Sequence, residues 1–191
     1  MEIMRLGIIS DIHDNLWNLQ PAIAYLNANA DVLLCCGDLC SPFVMDELRR
    51  FSGPVHIIFG NNDADLFRIT RKSDSRLQVY GEFMELEFDG RRIAANHFDY
   101  IARPIARSGE YDLVCFGHNH RISLEKFGRT TAVNPGPVMG AAFGPGGWEN
   151  VPSTFAICDM AGMDLRAFRL VGSASVEPFE LTAKPESGAQ P

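Results

Sequence analysis

The sequence has no long apolar stretch and no basic cluster, and both absences narrow the classes of protein it can represent. No run of about 18 apolar residues occurs, so we expect no membrane-spanning helix. The first nine residues lack the charged start and apolar segment of a signal peptide, and the expected location is therefore the cytoplasm. Lys and Arg number 17 against 24 Asp and Glu, a net charge of -7. Stable nucleic-acid binding is not expected, because it normally needs many cationic contacts to phosphate.

Cysteine and histidine are scarce, with five of each. No cysteine spacing resembles a disulfide framework or a cysteine zinc site, which is typical of a reducing compartment. Four of the cysteines lie in apolar runs, where a free thiol behaves as a small hydrophobic group: Cys35, Cys36, Cys115 and Cys158. The histidines are distributed differently, because four of them fall in short polar segments that follow predicted strands: His13, His97, His118 and His120.

The length and the apolar periodicity predict one α/β domain. A chain of 191 residues with 46% hydrophobic content can bury one sizeable core. In the first half, apolar strands at 3–10, 32–36 and 55–59 alternate with helices at 16–27 and 42–50. Asn15 is the predicted N-cap of the first helix. This alternation is the pattern of a parallel sheet covered by helices.

The second half is predicted to contain mostly short strands. Strands at 79–88 and 91–95 are joined by Asp89-Gly90, a strong hairpin signal. A helix at 100–107, limited or kinked by Pro104, precedes five further strands at 113–116, 122–127, 130–133, 154–158 and 165–170. Residues 136–147 are predicted to form a loop rich in Gly and Pro. The domain is expected to span residues 1–171, and the polar residues 172–191 are expected to form a flexible tail.

Five short polar segments each follow a predicted strand, and all carry side chains that bind metals. They are Asp11-Ile12-His13, Gly37-Asp38, Gly60-Asn61-Asn62-Asp63, Asn96-His97 and Gly117-His118-Asn119-His120. In an open α/β sheet the carboxyl ends of the strands form the edge where ligands bind, so these segments should converge. Imidazole and carboxylate ligands together suit Mn, Fe, Zn or Ni better than Ca or Mg.

Each segment has an ordinary structural explanation when it is considered alone. Asp38 after Gly37 could be a turn residue, and residues 61–63 could cap a following helix. A single Asp-x-His or His-x-His pair is a surface or capping feature more often than a ligand pair. The conjunction of five segments in this order is what favours a metal centre. His56 lies inside a predicted strand and outside every motif, and it is interpreted as a structural histidine.

The ordered set of segments resembles the calcineurin-like metallophosphoesterase superfamily. The short chain, together with Asn134-Pro135-Gly136, resembles in particular its small single-domain YfcE-type phosphodiesterase branch, which also includes a retromer subunit. The resemblance covers roughly residues 3–170. It implies a four-layer α/β/β/α sandwich with a dimetal site at the strand ends. It also implies two divalent transition-metal ions, with Mn as the first choice and Ni, Fe or Zn as alternatives.

The resemblance further implies a role for each polar residue. Three residues would hold the first metal: Asp11, His13 and His120. Three others would hold the second metal: Asn61, His97 and His118. Asp38 would bridge the two ions, and a metal-bridging hydroxide would hydrolyse a small phosphate ester that the net positive site attracts. Asp63 is expected to orient Asn61 or Asn62.

Three departures from the family pattern leave parts of this chemistry open. Asn62 stands where many members have a His thought to protonate the leaving group, and an amide cannot act as an acid. His97-Phe98-Asp99 stands where the family usually reads His-Gly-His. Either Asp99 replaces the second histidine, or His97 is the second and Ala95 takes the place of the first, and strand length favours the former. Pro137 replaces a common Ser in a loop near the substrate. The expected catalytic residues are Asp38, Asn62, Asp63 and Asp99.

The sequence leaves the substrate and the partner open. A phosphodiesterase is implied only by the resemblance, and relatives that form dimers make a homodimer a further expectation. Several residues are candidates for the pocket wall, although each could be ordinary surface or core: Phe98, Tyr100, Arg103, Arg121 and residues 138–148. The main alternative function is a non-catalytic metal-binding module that holds a protein partner, as the retromer subunit does. A redox di-iron protein is disfavoured, because no Glu-x-x-His motif occurs.

Overall fold

Two mixed β-sheets form the centre of the computed structural model, which describes residues 4–172, 175–181 and 183–185. In spatial order the first sheet contains β14 (Ser175–Phe179), β13 (Asp164–Val171), β12 (Thr154–Asp159), β1 (Arg5–Ile9), β2 (Val32–Cys35), β3 (Val55–Ile57) and β4 (Leu77–Val79). The second contains β15 (Ala183–Pro185), β8 (Ser123–Phe127), β9 (Thr130–Asn134), β7 (Leu113–Cys115), β6 (Arg91–Asn96) and β5 (Phe83–Phe88). The remaining strands, β10 (Ala141–Gly144) and β11 (Gly147–Asn150), form a separate hairpin.

The parallel strands of each sheet determine where a ligand-binding site can form. Strands β1 to β4 run parallel in the first sheet, and β6, β7 and β9 run parallel in the second. Their carboxyl ends therefore lie together along one edge of each sheet. Because the loops after these strands leave from those edges, polar residues there can meet between the two sheets.

Helices cover the outer faces of the sheets and complete the four layers predicted. Three lie with the first sheet and one with the second: α1 (Leu16–Asn29), α2 (Phe43–Leu48), α3 (Leu66–Arg71) and α4 (Asp99–Arg107). Successive residues of a strand point to opposite faces, so Ile8 is buried between the two sheets and Ile9 is buried under the helices. On the far side, Ala102 and Ala106 of α4 pack against Phe116. The predicted α/β/β/α sandwich is confirmed.

Local signals in the sequence account for several element ends. The Asn15 side chain accepts a hydrogen bond from the Asn18 backbone N–H at 3.1 Å, as expected of the N-cap of α1. Asp89 and Gly90 both have positive φ, of 51° and 73°, and they close the hairpin between β5 and β6. That conformation matches the type I′ turn for which Asp-Gly is favoured. Pro104 lies inside α4 and does not end it.

Two predictions of secondary structure were wrong, and one helix was missed. The strand predicted at 79–88 is two strands in different sheets, because the chain crosses between the sheets near Gly81, whose φ is 84°. Residues 136–147 are not all loop, since they include β10 and the start of β11. Helix α3 was not among the predicted helices, although residues 61–63 were considered as a possible cap of a following helix.

The segment after residue 171 also differs from its prediction as a flexible tail. Strand β14 pairs antiparallel with β13, and β15 pairs parallel with β8. The prediction is wrong for these two stretches, because ladder hydrogen bonds join their backbone to the two sheets. Residues 173, 174, 182 and 186–191 of the predicted tail lie outside the described residues. Within the described part of the chain, no helix is long and apolar enough to cross a membrane.

His56 has the structural environment predicted for it. It is buried in β3, and its Nδ1 lies 2.9 Å from the hydroxyl of Tyr80, while the rings of Tyr80 and Phe88 pack against it. The Tyr80 hydroxyl itself donates to Gln78 Oε1, so His56 Nδ1–H is the donor of this pair. Burial lowers the pKa of His56 below its usual value.

This pKa shift predicts how His56 affects stability as the pH changes. Because the pKa is lower in the folded protein, the unfolded chain binds the proton first, and stability is lost as the pH falls through the unfolded value of about 6.5. We expect the wild-type protein to lose more unfolding free energy than His56→Gln between about pH 7.5 and 5.5. Urea denaturation of both proteins at the two pH values measures this. A difference between them that does not change with pH would contradict the prediction.

Candidate metal centre

The polar segments that follow the strands meet at one place in the structure. Each of the seven residues expected to bind metal lies in the turn that follows a parallel strand: Asp11 and His13 after β1, Asp38 after β2, Asn61 after β3, His97 after β6, and His118 and His120 after β7. Asp11, Asp38, His97 and His120 are buried, and His13 and His118 are partly so. The two sheets thus contribute to one cluster, as the topology predicts.

The first group in this cluster consists of Asp11, His13, Asp38 and His120, each of which offers one ligand atom within 4.8 Å of the others. His13 Nε2 lies 3.1 Å from His120 Nε2 and 3.3 Å from Asp38 Oδ2. His120 Nε2 lies 3.4 Å from Asp11 Oδ1. Two carboxylates and two imidazoles that face one point are a donor set suited to a divalent transition metal.

The second group lies beside the first and shares one residue with it. Asn61 Oδ1 lies 3.2 Å from His97 Nε2 and 2.9 Å from His118 Nδ1. His97 Nε2 lies 3.4 Å from Asp38 Oδ2, the same oxygen that faces His13. Asp38 is therefore in contact with both groups. An amide oxygen and two imidazoles around a shared carboxylate could hold a second cation.

A buried oxygen without a partner tests whether these residues fit a cation. Asp11 Oδ1 accepts a hydrogen bond from the His118 backbone N–H at 3.1 Å. Asp11 Oδ2 is fully buried and has no hydrogen-bond partner among the described residues. Burying a carboxylate oxygen without a donor is costly, and native structures rarely do so without an ion or a water. A cation held by the first group would compensate that charge, so the residues fit a metal.

The electrostatics of the cluster also favour positive charge. Burial raises the pKa of Asp38, but its contacts with His13 and His97 outweigh burial and hold this pKa well below its usual range. Burial lowers the pKa of His97 and of His120, yet the carboxylates of Asp38 and Asp11 respectively raise both pKa values above the usual one. The surroundings therefore stabilise a positive charge placed next to these carboxylates, whether it is a proton or a metal ion.

Hydrogen bonds behind the cluster fix two of the imidazole rings. His97 Nδ1 lies 2.7 Å from the carbonyl oxygen of Cys36, and His120 Nδ1 lies 2.6 Å from that of Ala141. A ring nitrogen that faces a carbonyl must carry the hydrogen, so the Nε2 atoms face the cluster. This is the usual way in which proteins orient metal-binding histidines.

The backbone of the cluster is strained in a way that aims its side chains. Five of the seven residues have positive φ, a region that non-glycine residues seldom adopt: Asp11, His13, Asp38, His118 and His120. Each such residue costs on the order of 1 kcal/mol or more. Backbone bonds hold them in place, for example those from Asp11 N–H to the Gly37 carbonyl and from His13 N–H to the Asp38 carbonyl. Strain of this kind concentrates at functional sites.

Asn62 and Asp63 support Asp38 and its loop. The Asn62 backbone N–H donates to Asp38 Oδ1 at 2.8 Å, and its side-chain amide donates to Asp38 Oδ2 at 2.9 Å. Asp63 accepts four backbone N–H groups, from Asp38 at 3.1 Å, Leu39 at 2.6 Å, Cys40 at 2.9 Å and Gly60 at 2.6 Å.

The expectation that Asp63 orients Asn61 or Asn62 was therefore wrong. Its side chain makes no hydrogen bond to Asn61 or Asn62 among the contacts of the described residues. The sharp turn after β2 leaves backbone donors unpaired, and the Asp63 carboxylate satisfies them. Burial raises the pKa of Asp63, and the nearby charge of Asp38 raises it further. The backbone N–H donors lower this pKa, but they do not cancel the increase.

Asp99 lies outside the cluster. At the first turn of α4 it forms an ion pair with Arg103, which also binds Glu125 with Nε 3.0 Å from Oε2. Ala95 is buried in the core between the sheets. Of β6 and the turn that follows it, His97 is thus the residue that reaches Asp38. This favours the alignment in which His97 is the first histidine of the family motif and Asp99 replaces the second.

A cavity of about 720 Å³ opens above the cluster. Its walls include three of the clustered histidines and several residues from other elements: His13, His118, His120, Asn61, Asn62, Asp99, Arg103, Asn119, Arg121, Ile122, Ser123, Glu125, Phe143 and Trp148. Of the candidates for the pocket wall, Arg103, Arg121 and, from residues 138–148, Phe143 and Trp148 line this cavity, whereas Phe98 and Tyr100 are not among its lining residues. Ser123 and Glu125 were missed, although their alternate spacing in β8 would have placed them on one face of a strand.

Comparison with known proteins gives the family. Residues 4–162 match the calcineurin-like phosphoesterase superfamily domain. The chain is 30% identical over 142 residues to Phosphodiesterase MJ0936 of Methanocaldococcus jannaschii, which covers 72% of this chain and 86% of that protein. The solved structure of an archaeal phosphodiesterase aligns with a TM-score of 0.76 at 27% identity, over 87% of this chain and 100% of that one.

Vps29 of Chaetomium thermophilum aligns with a TM-score of 0.69 over 92% of this chain and 96% of its own. Its identity of 19% supports a shared fold alone. The match to the superfamily domain, by contrast, covers most of the chain and includes every segment of the cluster. The protein is thus a member of the calcineurin-like phosphoesterase superfamily.

Proposed function

We propose that the protein is a phosphodiesterase that uses two divalent transition-metal ions, with Mn as the first choice and Ni, Fe or Zn as alternatives. The observation that carries the proposal is the Asp38 carboxylate, which one group of ligand atoms shares with another. The similarity to Phosphodiesterase MJ0936 supports a diester as the substrate.

Each group would hold one cation. Asp38 would contact both ions, and the other ligands would divide as follows: Asp11, His13 and His120 for the first, and Asn61, His97 and His118 for the second. When bound, two such cations supply an activated water and stabilise charge on the phosphate oxygens.

The chain itself holds the ligands ready for this chemistry. The carbonyls of Cys36 and Ala141 hold the hydrogen of each neutral ring on Nδ1 and keep the Nε2 atoms of His97 and His120 turned to the cluster, where a cation can bind them. Asn62 donates two hydrogen bonds to Asp38, which fixes the shared carboxylate. Because these contacts already fix the ligand side chains, the side chains lose little conformational entropy when the ions and the substrate bind.

The experiment that tests the proposal is hydrolysis of bis(p-nitrophenyl) phosphate by metal-stripped protein, with Mn, Ni, Zn or Mg added back. We expect no turnover without metal and restored turnover with Mn or Ni. Folded protein that binds these metals yet shows no turnover with any of them would reject the enzyme. It would favour the alternative, a non-catalytic metal-binding module that holds a protein partner.

The structure of the Asn62 contacts leads to a prediction about leaving groups. The Asn62 amide donates to Asp38 and has no acidic proton, so the leaving oxygen receives little proton assistance. We expect turnover of a series of methyl aryl phosphates to fall steeply as the pKa of the leaving phenol rises, and methyl alkyl phosphates to be poor substrates. Equal rates for aryl and alkyl leaving groups would rule this out. Asn62→His should flatten the dependence by supplying an acid.

A further inference from the structure

Two aromatic side chains stand side by side on the hairpin that borders the cavity. Phe143 of β10 pairs across the hairpin with Trp148 of β11, and their rings lie 5.6 Å apart in an edge-to-face arrangement. Both remain largely exposed, at 73% and 63%. Exposed rings grouped at a cavity wall are typical of surfaces that bind a ligand.

The hairpin is fixed relative to the metal centre. His120 Nδ1 donates to the carbonyl of Ala141, the first residue of β10, and the Trp148 ring lies 6.3 Å from the His120 ring. The imidazole that faces the cluster through Nε2 is therefore also the contact that holds the aromatic pair. A substrate whose phosphate lies at the cluster would have its substituent beside Trp148.

Apart from Ile122, the remainder of the cavity wall is polar and differs from this aromatic side. Arg103 there is neutralised by Asp99 and Glu125. Arg121 is exposed and forms no ion pair within the described part of the chain, so its charge is available to a phosphate oxygen. The cavity thus offers exposed aromatic rings on one side of the centre and the cationic side chain of Arg121 near it.

We propose that Trp148, supported edge-on by Phe143, forms a stacking platform for a planar ring of the substrate, so that the enzyme acts on phosphodiesters of the nucleotide type. This inference rests on the proposed function. Stacking on an aromatic side chain is worth enough that its loss weakens binding of a base by about tenfold or more. A platform of this kind accepts any base, because every base has a flat face.

Ligands that differ only in the ring test the platform. Adenosine 5′-phosphate and ribose 5-phosphate share the phosphate and the sugar, and titration calorimetry with Mn²⁺-loaded protein gives both affinities. We expect adenosine 5′-phosphate to bind about tenfold or more tightly. Trp148→Ala should remove that preference, and Trp148→Phe should keep most of it. Equal affinities in the wild-type protein, or a preference that survives Trp148→Ala, would overturn the proposal.

A fluorescence measurement checks the contact directly. The chain has two tryptophans, and Trp17 lies at the start of α1 outside the residues that line the cavity. In Trp17→Phe, emission reports on Trp148 alone, and adenosine 5′-phosphate should quench it while ribose 5-phosphate does not. Emission that changes with protein concentration and not with the nucleotide would mean that another copy of the chain covers the hairpin, and the platform would be wrong.

Hydrolysis of bis(p-nitrophenyl) phosphate by the same samples separates this inference from the proposed function. Turnover without a preference for adenosine 5′-phosphate would keep the enzyme and reject the platform. A preference and quenching without turnover would keep the platform as a binding site and reject the enzyme.

Discussion

Asp38→Asn is expected to abolish most of the hydrolysis of bis(p-nitrophenyl) phosphate. Removing a residue that only orients a metal ligand typically costs about 10- to 100-fold in metal affinity or activity. Asp38 does more, because its Oδ2 faces His13 at 3.3 Å and His97 at 3.4 Å, one from each group. Its loss should therefore exceed that range, with kcat/KM reduced by about 1000-fold or more.

The asparagine keeps the shape of the side chain, but it replaces one acceptor oxygen with a donor NH₂ group and removes the negative charge. Both oxygens of Asp38 accept hydrogen bonds from Asn62, so an amide NH₂ in either position would meet a donor. The amide would also remove the negative charge that raises the pKa of His97 and that would attract the cations. We expect the purified variant to contain less metal than the wild-type protein in addition to being slow.

Metal content by elemental analysis and kcat/KM on the same sample measure both effects. Asp164→Asn is the matched control, because Asp164 is an exposed aspartate of β13 and should tolerate the change. A folded Asp38→Asn variant with full metal content and near-normal turnover would show that Asp38 is not shared between two ions.

The sequence predicts the polar cluster well because its information is local. Each segment joins an apolar strand to residues of recognisable ligand type, and the parallel connection forces the strand ends to one edge. Residues such as Asp11 and His118, which are 107 positions apart, could therefore be placed together without any knowledge of side-chain contacts. The N-cap Asn15 and the Asp89-Gly90 turn were predictable for the same reason.

Contacts that depend on the path of a loop could not be predicted in this way. Asp63 accepts backbone donors from residues 38–40, more than twenty positions away, and only the folded turn shows that those donors are unpaired. The positive φ values of Asp11 and Asp38 likewise result from tertiary hydrogen bonds, because neither residue type requires that conformation.

The hairpin of β10 and β11 was not predicted because its Gly and Pro content is typical of a loop. Pro and Gly at 145–147 are typical of a loop, and the short strands on either side have too few residues to show a period. The register that places Phe143 opposite Trp148 follows from the turn geometry. The Gly-rich composition of this segment therefore gave no sign that it forms a hairpin at the cavity wall.

Gly60→Ala is the second substitution for which we expect a large effect. A Cβ at this position would lie 2.3 Å from Asp38 Oδ1 and 2.8 Å from His97 Nε2, distances that real Cβ atoms do not adopt. It would also lie 2.8 Å from the Asp38 backbone nitrogen, which cannot move without its turn. The methyl group would have to displace the shared carboxylate and the buried imidazole together.

Overpacking of this kind costs about 1–3 kcal/mol of unfolding free energy, and here it also separates the ligands of both groups. We expect Gly60→Ala to lose most of its metal affinity and hydrolysis and to unfold at a lower urea concentration. Gly162→Ala is the matched control, since its Cβ would lie 2.8 Å from Asp164 Oδ2.

The new methyl group meets different surroundings at the two glycines, and that difference decides the outcome. The exposed Asp164 carboxylate can turn away into solvent, so Gly162→Ala should change the unfolding free energy by less than about 0.5 kcal/mol and leave activity intact. Asp38 is buried between His13 and His97. It also accepts two hydrogen bonds from Asn62, so its carboxylate cannot turn away without losing these contacts. Equal tolerance of both substitutions would mean that the turn after β3 can shift freely, and the fixed geometry argued for Asp38 would then be wrong.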